Sequence, residues 1–230
     1  MNELQIDLLY EEGPCLVVNK PPGILTQAPP GIDSLEVRIK DFLKRREGTL
    51  DDVYLGVPHR LDRPASGAIV FCTRVKATRR LAQQFEARLV GKTYWACVEG
   101  QVSPGEGTWE DYLRKIPDRA RAEVVDADHP QGRRAVLQYR VRATAQWGTW
   151  LEIELQTGRT HQVRVQAGWR GHPVLGDSQY GSTTPFGPQH EDHRLRAIAL
   201  HARSITFRHP KTREKVTVTA PLPEYWPDMA

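Results

Sequence analysis

The stretch PHRLDRPASGAIVFC, residues 58–72, places one carboxylate, Asp62, between two arginines. Pro64 and Gly67 predict a tight turn directly after it, followed by an apolar strand. A carboxylate in such a turn is fixed by stiff backbone, and neighbouring guanidinium groups favour its ionised form. An ionised, partly desolvated carboxylate can act as a nucleophile or a base. The same residues could equally form a structural ion pair that caps the turn.

A second candidate stretch is QTGRTHQVRVQ, residues 156–166, which carries Arg159 and Arg164. Alternation of Val163 and Val165 with polar residues predicts a strand with one apolar and one polar face. Arg164 belongs to the polar face. That face either meets solvent or lines a groove that holds an anion.

A third candidate is Tyr94 in GKTYWACVEG, residues 91–100. An aromatic ring at this position can belong to the core. It can also serve as a platform on which an unstacked nucleic-acid base lies.

Cofactor motifs are missing from the sequence. There is no GxGxxG, no GxxxxGK[ST] and no GxSxG, so we expect no nucleotide cofactor. The group HEDH, residues 190–193, resembles a metal cluster only by composition, because it lies in a loop sequence without a helical HExxH pattern. We therefore expect no metal either.

Composition limits the class of protein. The 230 residues are 26% charged and 39% hydrophobic, which is typical of a soluble globular protein. Lys and Arg number 32 against 28 Asp and Glu, an excess that allows a nucleic-acid partner but fits a solvated basic surface equally well. Three separated cysteines in apolar stretches predict buried thiols rather than disulfides. The N-terminus lacks a signal-peptide pattern and no apolar run could span a bilayer, so we expect a cytoplasmic protein.

Periodicity predicts about eight strands and two helices, which do not alternate regularly. One helix should begin after Ser34, and the other should cover about residues 75–90 with Gly91 as its C-cap. The fold class is therefore α+β, with a largely antiparallel or mixed central sheet and flanking helices and loops. No repeat or linker is evident, so residues 1–230 are expected to form a single catalytic domain.

Six segments occur together in an order that resembles the RluA-type pseudouridine synthases. They are VVNKPPGIL (17–25), HRLDRPASGAIVF (59–71), GKTYWACVEG (91–100), TGRTHQVRVQ (157–166), GHPVLGDSQYG (171–181) and LHARSITFRHP (200–210). The resemblance implies the pseudouridine synthase fold and an isomerase that converts uridine in RNA to pseudouridine. It implies RNA as partner, no cofactor and no membrane association. We further expect a monomer.

The resemblance also implies roles for individual residues. Asp62 is the catalytic aspartate, whichever atom it attacks. Arg60 enters the RNA as the target base leaves, and Tyr94 stacks on that flipped base. Arg164 pairs with Asp62 and keeps it ionised, while Arg159 serves RNA binding or the order of the site.

Two positions depart from the family pattern. Ala65 stands where the family usually has threonine, and Ala68 stands where a larger apolar residue is usual. Because Ala65 lacks the threonine hydroxyl, we expect lower catalytic efficiency rather than loss of activity. The catalytic motifs begin by residue 17, so an N-terminal RNA-binding domain of the S4 type is not expected. Whether the target lies in tRNA or rRNA stays open.

Two other functions fit parts of the sequence. A catalytically silent RNA-binding module would use the same fold without turnover. A glycosidase would normally need a second catalytic carboxylate, and none stands out near the motifs.

Overall fold

The computed structural model describes residues 6–227, which form two compact units. Residues 1–5 of the N-terminus, which was searched above for a signal-peptide pattern, lie outside this range. The first unit comprises the chain up to Lys92 together with Ala202–Leu222, and the second comprises Thr93–His201 and the segment from Pro223. Over residues 6–227 there are ten strands and three α-helices, which confirms the α+β class.

The first unit is built on antiparallel strands covered by two helices. Its strands and helices are β1 (Leu8–Glu12), β2 (Cys15–Lys20), α1 (Leu35–Glu47), β3 (Ser66–Cys72), α2 (Val75–Glu86), most of β9 (Leu200–Arg208) and β10 (Lys215–Thr219). β2 pairs with both β1 and β3, β3 neighbours β9, and β10 pairs with β9. All seven residues of β3 are buried. β3 is therefore the central strand of the unit's core.

Local signals account for α1. The Ser34 hydroxyl accepts a hydrogen bond from the Val37 N–H at 3.3 Å, and Gly48 ends the helix with a positive φ of 65°. Leu35, Ile39 and Leu43 recur on one face and are buried. The predicted start at Ser34 is thus confirmed.

The second helix is shorter than the periodicity predicts. α2 ends at Glu86, and Arg88 takes the left-handed conformation with φ 58° that was expected of Gly91. Leu89, which the predicted helix over residues 75–90 includes, lies outside α2 and is 67% exposed. The chain leaves the helix early because the turn at residues 87–89 already satisfies the last helical carbonyls.

The second unit is a five-stranded antiparallel array in the order β4–β8–β7–β5–β6. Its elements are β4 (Gly91–Val98, which enters the unit at Thr93), β5 (Glu106–Lys115), β6 (Ala122–Val125), β7 (Arg133–Ala145), β8 (Gly148–Leu155) and α3 (Gln162–Trp169). Val165 of α3 packs with Leu113, Ala122 and Ala135 in an apolar cluster. α3 is therefore anchored on the face formed by β5, β6 and β7.

The strand predicted over THQVRVQAG, residues 160–168, is wrong, because α3 begins at Gln162 within this segment. Residues 162–167 are all buried, so no solvent-facing side exists to produce an amphipathic pattern. His161 precedes the helix with a positive φ of 53°, which turns the chain out of the extended conformation. The three cysteines are free and buried, as predicted.

Candidate active site

Asp62 lies on a loop of the first unit whose main chain is held by the segment after β2. The Thr26 hydroxyl donates to the Leu61 carbonyl at 3.0 Å and accepts from the Leu61 N–H at 3.1 Å. On the other side of Asp62, the Gly23 N–H donates to the Arg63 carbonyl at 2.8 Å. Both sequence neighbours of the carboxylate are therefore fixed. Such support is what a catalytic side chain requires if it is to stay within a fraction of an ångström of its working position.

Lys20 supports the same loop from inside the protein. Its side chain is fully buried, and Nζ donates to the carbonyls of Pro21 at 2.9 Å, Arg63 at 3.1 Å and Ala65 at 2.7 Å. An ammonium group has three N–H donors, so three carbonyls match it completely. Burial lowers the pKa of Lys20 to about 7, and the negative charge of Asp62 opposes this shift. Lys20 thus contributes both hydrogen bonds and charge beneath the candidate carboxylate.

The histidine of the same motif is structural. His59 accepts the Val70 N–H through Nε2 at 3.0 Å and stacks on Phe85 with ring centroids 4.5 Å apart. Burial, helped by the charge of Lys92, lowers the pKa of His59 to about 3. The ring therefore stays neutral at physiological pH and holds the loop against β3 instead of transferring protons.

Gly67 allows the Asp62 loop to enter β3. Its φ is 113°, and a Cβ atom there would lie 2.3 Å from the Ala202 carbonyl oxygen, which is a main-chain atom of the same unit. Only glycine tolerates both the conformation and the close approach. Arg60 lies on the same loop as Asp62 and is exposed, whereas Asp62 is partly buried.

The other three candidate residues lie in the second unit. Tyr94 is on β4, directly opposite Ile153 of β8, and is 8% exposed. Arg159 precedes α3: its N–H donates to Gln162 Oε1 at 3.0 Å, and Thr157 donates to the same oxygen at 2.8 Å. These two contacts fix the turn that leads from Thr157 into α3.

Arg164 is buried within α3 and 4% exposed. Its Nε donates to Asp177 Oδ2 at 2.6 Å, and Nη2 donates to Asp177 Oδ1 at 2.9 Å and to Gln179 Oε1 at 2.8 Å. The guanidinium also lies over the Tyr180 ring, 4.9 Å from its centroid. Asp177 is itself 2% exposed, so a fully desolvated ion pair orients Arg164. The predicted pairing of Arg164 with Asp62 stays a prediction.

Glu99, which directly follows β4, anchors the start of the loop that begins at Ser182. Its Oε1 accepts from Ser182 Oγ at 2.9 Å and from the N–H groups of Thr183 and Thr184, each at 2.8 Å. Burial acts to raise the pKa of Glu99, but these hydrogen bonds outweigh it and hold the pKa below its usual value. The sequence predicts a mobile loop over residues 182–196, and its first three residues are anchored.

Sequence reasoning did not assign roles to Lys20, Thr26 or Asp177. Lys20 and Asp177 lie inside segments that carry the family resemblance, NKPPG and GDSQYG. The available signals were the position of Lys20 at the end of an apolar strand and that of Asp177, a single acid, within a glycine-rich turn. Neither pattern reveals its partner, because each partner is distant in the sequence.

The described part of the chain offers no group of three or more His, Cys, Asp or Glu side chains that could hold a metal ion. Between residues 6 and 227, no helix combines the length and apolar content that a membrane span needs.

Comparison with known proteins decides the family. A family model described as RNA pseudouridylate synthase matches residues 14–168. The chain belongs to this family. The pseudouridine synthase is 34% identical over 230 residues to the ribosomal large subunit pseudouridine synthase D of Xylella fastidiosa, covering 96% of this chain and 67% of that protein. It is 32% identical over 220 residues to the corresponding synthase C of Haemophilus ducreyi, covering 96% and 67%. The RluA-type assignment is thereby confirmed.

The fold of the synthase is also confirmed. The human RNA pseudouridylate synthase domain containing 4 aligns with a TM-score of 0.76 at 22% identity, covering 95% of this chain and 89% of that chain. The enzyme is thus an isomerase that converts uridine within RNA to pseudouridine by flipping out the target base and using a catalytic aspartate.

Proposed function

We propose that the enzyme modifies a uridine of large-subunit ribosomal RNA and that Asp62 is its catalytic aspartate. The observation that carries the assignment of Asp62 is its anchored loop, in which Thr26 and Lys20 fix the main chain on both sides of it. Ribosomal RNA is favoured over tRNA because two similar proteins are named for the ribosomal large subunit.

The proposed reaction breaks the bond between the ribose C1′ and N1 of uracil and forms one between C1′ and C5. The C5 hydrogen leaves as a proton and N1 takes up a proton from solvent, so the product is an isomer of uridine and no oxidant or reductant is needed. A single ionised carboxylate in a water-poor site can support such chemistry by covalent or base catalysis. We expect no cofactor or metal requirement, and we expect a cytoplasmic monomer.

The remaining candidates take the roles that the family motif implies. Arg60 fills the space that the extruded base leaves, and its exposure suits a side chain that must enter RNA. Tyr94 stacks on the extruded base. Arg164 supplies the positive charge that keeps Asp62 ionised, and Arg159 binds RNA.

Release of tritium from RNA labelled at C5 of uridine tests both parts of the proposal. RNA from a strain that lacks the enzyme should be separated into large-subunit rRNA, small-subunit rRNA and tRNA before the assay. The wild type should release tritium from large-subunit rRNA only, in the presence of EDTA. Release from tRNA alone would overturn the substrate assignment.

Substitution tests the catalytic residue. Asp62→Asn should reduce the single-turnover rate by at least about 10³-fold while RNA still binds. Asp52→Asn changes an exposed acid of the same unit, which forms a 3.6 Å ion pair with Lys44; it is the matched control and should retain full activity. Comparable rates in the two variants would refute the role of Asp62.

A further inference from the structure

A cavity of about 320 Å³ lies in the second unit, where β5, β6 and β7 meet the turn before α3. Leu113 and Ala122 contribute apolar surface and are 3% and 2% exposed. In the strand registers Leu113 lies opposite Arg133, and Lys115 lies opposite Ala122. Alternation along β5 therefore places these four side chains on one face of the three strands.

Positive charge dominates the wall of this cavity. Lys115, Arg133 and Arg159 line it, and no carboxylate does. Arg114 also contributes to the wall, but its guanidinium forms an ion pair with Glu123. Three cations without a lining acid make the cavity a site for an anion.

One of the cations is held in place. Arg159 Nε donates to the Arg134 carbonyl at 3.0 Å, and the Arg159 N–H donates to Oε1 of Gln162, the first residue of α3, at 3.0 Å. Thr160, next to it, adds a hydroxyl to the lining. Arg159 therefore adds a positive charge at a fixed position on the cavity wall, which suits an anion such as a phosphate.

We propose that this cavity binds one phosphate-bearing nucleotide of the substrate RNA, other than the uridine that is isomerised. The inference rests on the proposed function, in which the substrate is a structured RNA. The volume lies within the range of sites that enclose small ligands. The cations bind the phosphate, while the apolar floor packs against the sugar or base. Such a contact fixes the register of the RNA without reading its sequence.

The test measures RNA affinity over a range of salt concentrations for Arg133→Gln and Lys115→Gln. Each variant should bind about 3- to 10-fold more weakly near 0.1 M salt, and the slope of log K against log salt should fall by about 0.7 to 1. The matched control is Arg140→Gln, which removes the same charge from an exposed position on β7 whose only ion pair in the described range is a 3.4 Å contact with Glu106. This control should leave both quantities unchanged.

Failure of this inference is distinguishable from failure of the proposed function. At saturating RNA the Arg133→Gln and Lys115→Gln variants should isomerise uridine at the wild-type single-turnover rate, so chemistry is monitored separately from binding. If both bind RNA with the affinity and salt slope of Arg140→Gln, the cavity contacts no phosphate of the RNA and the inference is wrong. It is also wrong if uridine monophosphate binds the wild type but not Arg133→Gln while RNA affinity is equal, because the ligand is then a free nucleotide.

Discussion

The anchoring of the catalytic loop by one hydroxyl group gives the sharpest prediction. Thr26→Val keeps the shape of the side chain but removes both hydrogen bonds to Leu61, whose main chain then has two unpaired groups in a site that is 6% exposed. Each neutral hydrogen bond contributes about 1 kcal/mol net, so the free energy of unfolding should fall by about 2 kcal/mol. Because Asp62 follows Leu61 directly, the carboxylate should also lose its position.

Another threonine provides a matched control in the second unit. Thr149 is fully buried, accepts from the Val102 N–H at 3.0 Å and donates to the Gly100 carbonyl at 2.7 Å. Thr149→Val therefore removes the same pair of interactions at a position outside the Asp62 loop. Both variants should unfold about 4–8 °C below the wild type, as expected for a loss of about 2 kcal/mol in a chain of this size.

The two variants should differ in catalysis. At 25 °C, where both remain folded, tritium release under single-turnover conditions should slow by at least about tenfold in Thr26→Val, because a small displacement of a catalytic group carries a large kinetic penalty. Thr149→Val should stay within about twofold of the wild type. Equal stability losses with unchanged rates in both variants would refute the argument that Thr26 positions Asp62.

Three further predictions follow from buried polar groups and backbone contacts. Because the pKa of Lys20 is lowered from 10.5 to about 7, the unfolded chain binds more protons between these values. The free energy of unfolding of the wild type, taken relative to that of Lys20→Met, should therefore rise by up to about 1.4 kcal/mol per pH unit between pH 7 and pH 10.5. A difference between the two proteins that does not change with pH in urea melts would contradict this. Asp177→Asn removes the carboxylate from a buried pair with Arg164 and should destabilise by about 3 kcal/mol; a loss below about 1 kcal/mol in urea melts would show the pair to be unimportant. Gly67→Ala should cost at least about 3 kcal/mol, since the new methyl group meets the Ala202 carbonyl, and an unchanged Tm would contradict the close approach.

The parts of the fold that sequence reasoning predicted correctly depend on local signals. The cap at Ser34, the apolar positions Leu35, Ile39 and Leu43, and the turn residues around Asp62 all act within a few residues of the structure they specify. Signals of this short range can be recognised from the sequence alone. The α+β class followed from the same signals because strands and helices did not alternate.

The failure at α3 has a different cause. Alternation of valines with polar residues is typical of a strand when the polar side meets water. Here Arg164 pairs with Asp177, and Gln166 Nε2 donates to the carboxylate of Asp111 at 2.6 Å. Because Asp177 and Asp111 supply hydrogen-bond partners from distant parts of the sequence, the helix can bury its polar residues. The alternation of valines with polar residues then no longer indicates a side that faces solvent.

Support for the catalytic loop could be predicted only in part. The turn chemistry of NKPPG and DRPASG indicated rigid backbone, but not that Lys20 and Thr26 of one segment hold the other. Those contacts span 35 to 45 residues of sequence. They depend on the antiparallel pairing of β2 with β3, a tertiary arrangement that no short pattern encodes.

The three hydrogen bonds that Glu99 accepts divide the segment after Gly181 into a tethered base and a longer outer part. Residues added or deleted beyond Thr184 would leave the tether intact. Loop length can therefore be altered in the exposed stretch around residues 188–191 without disturbing the Glu99 contacts just after β4.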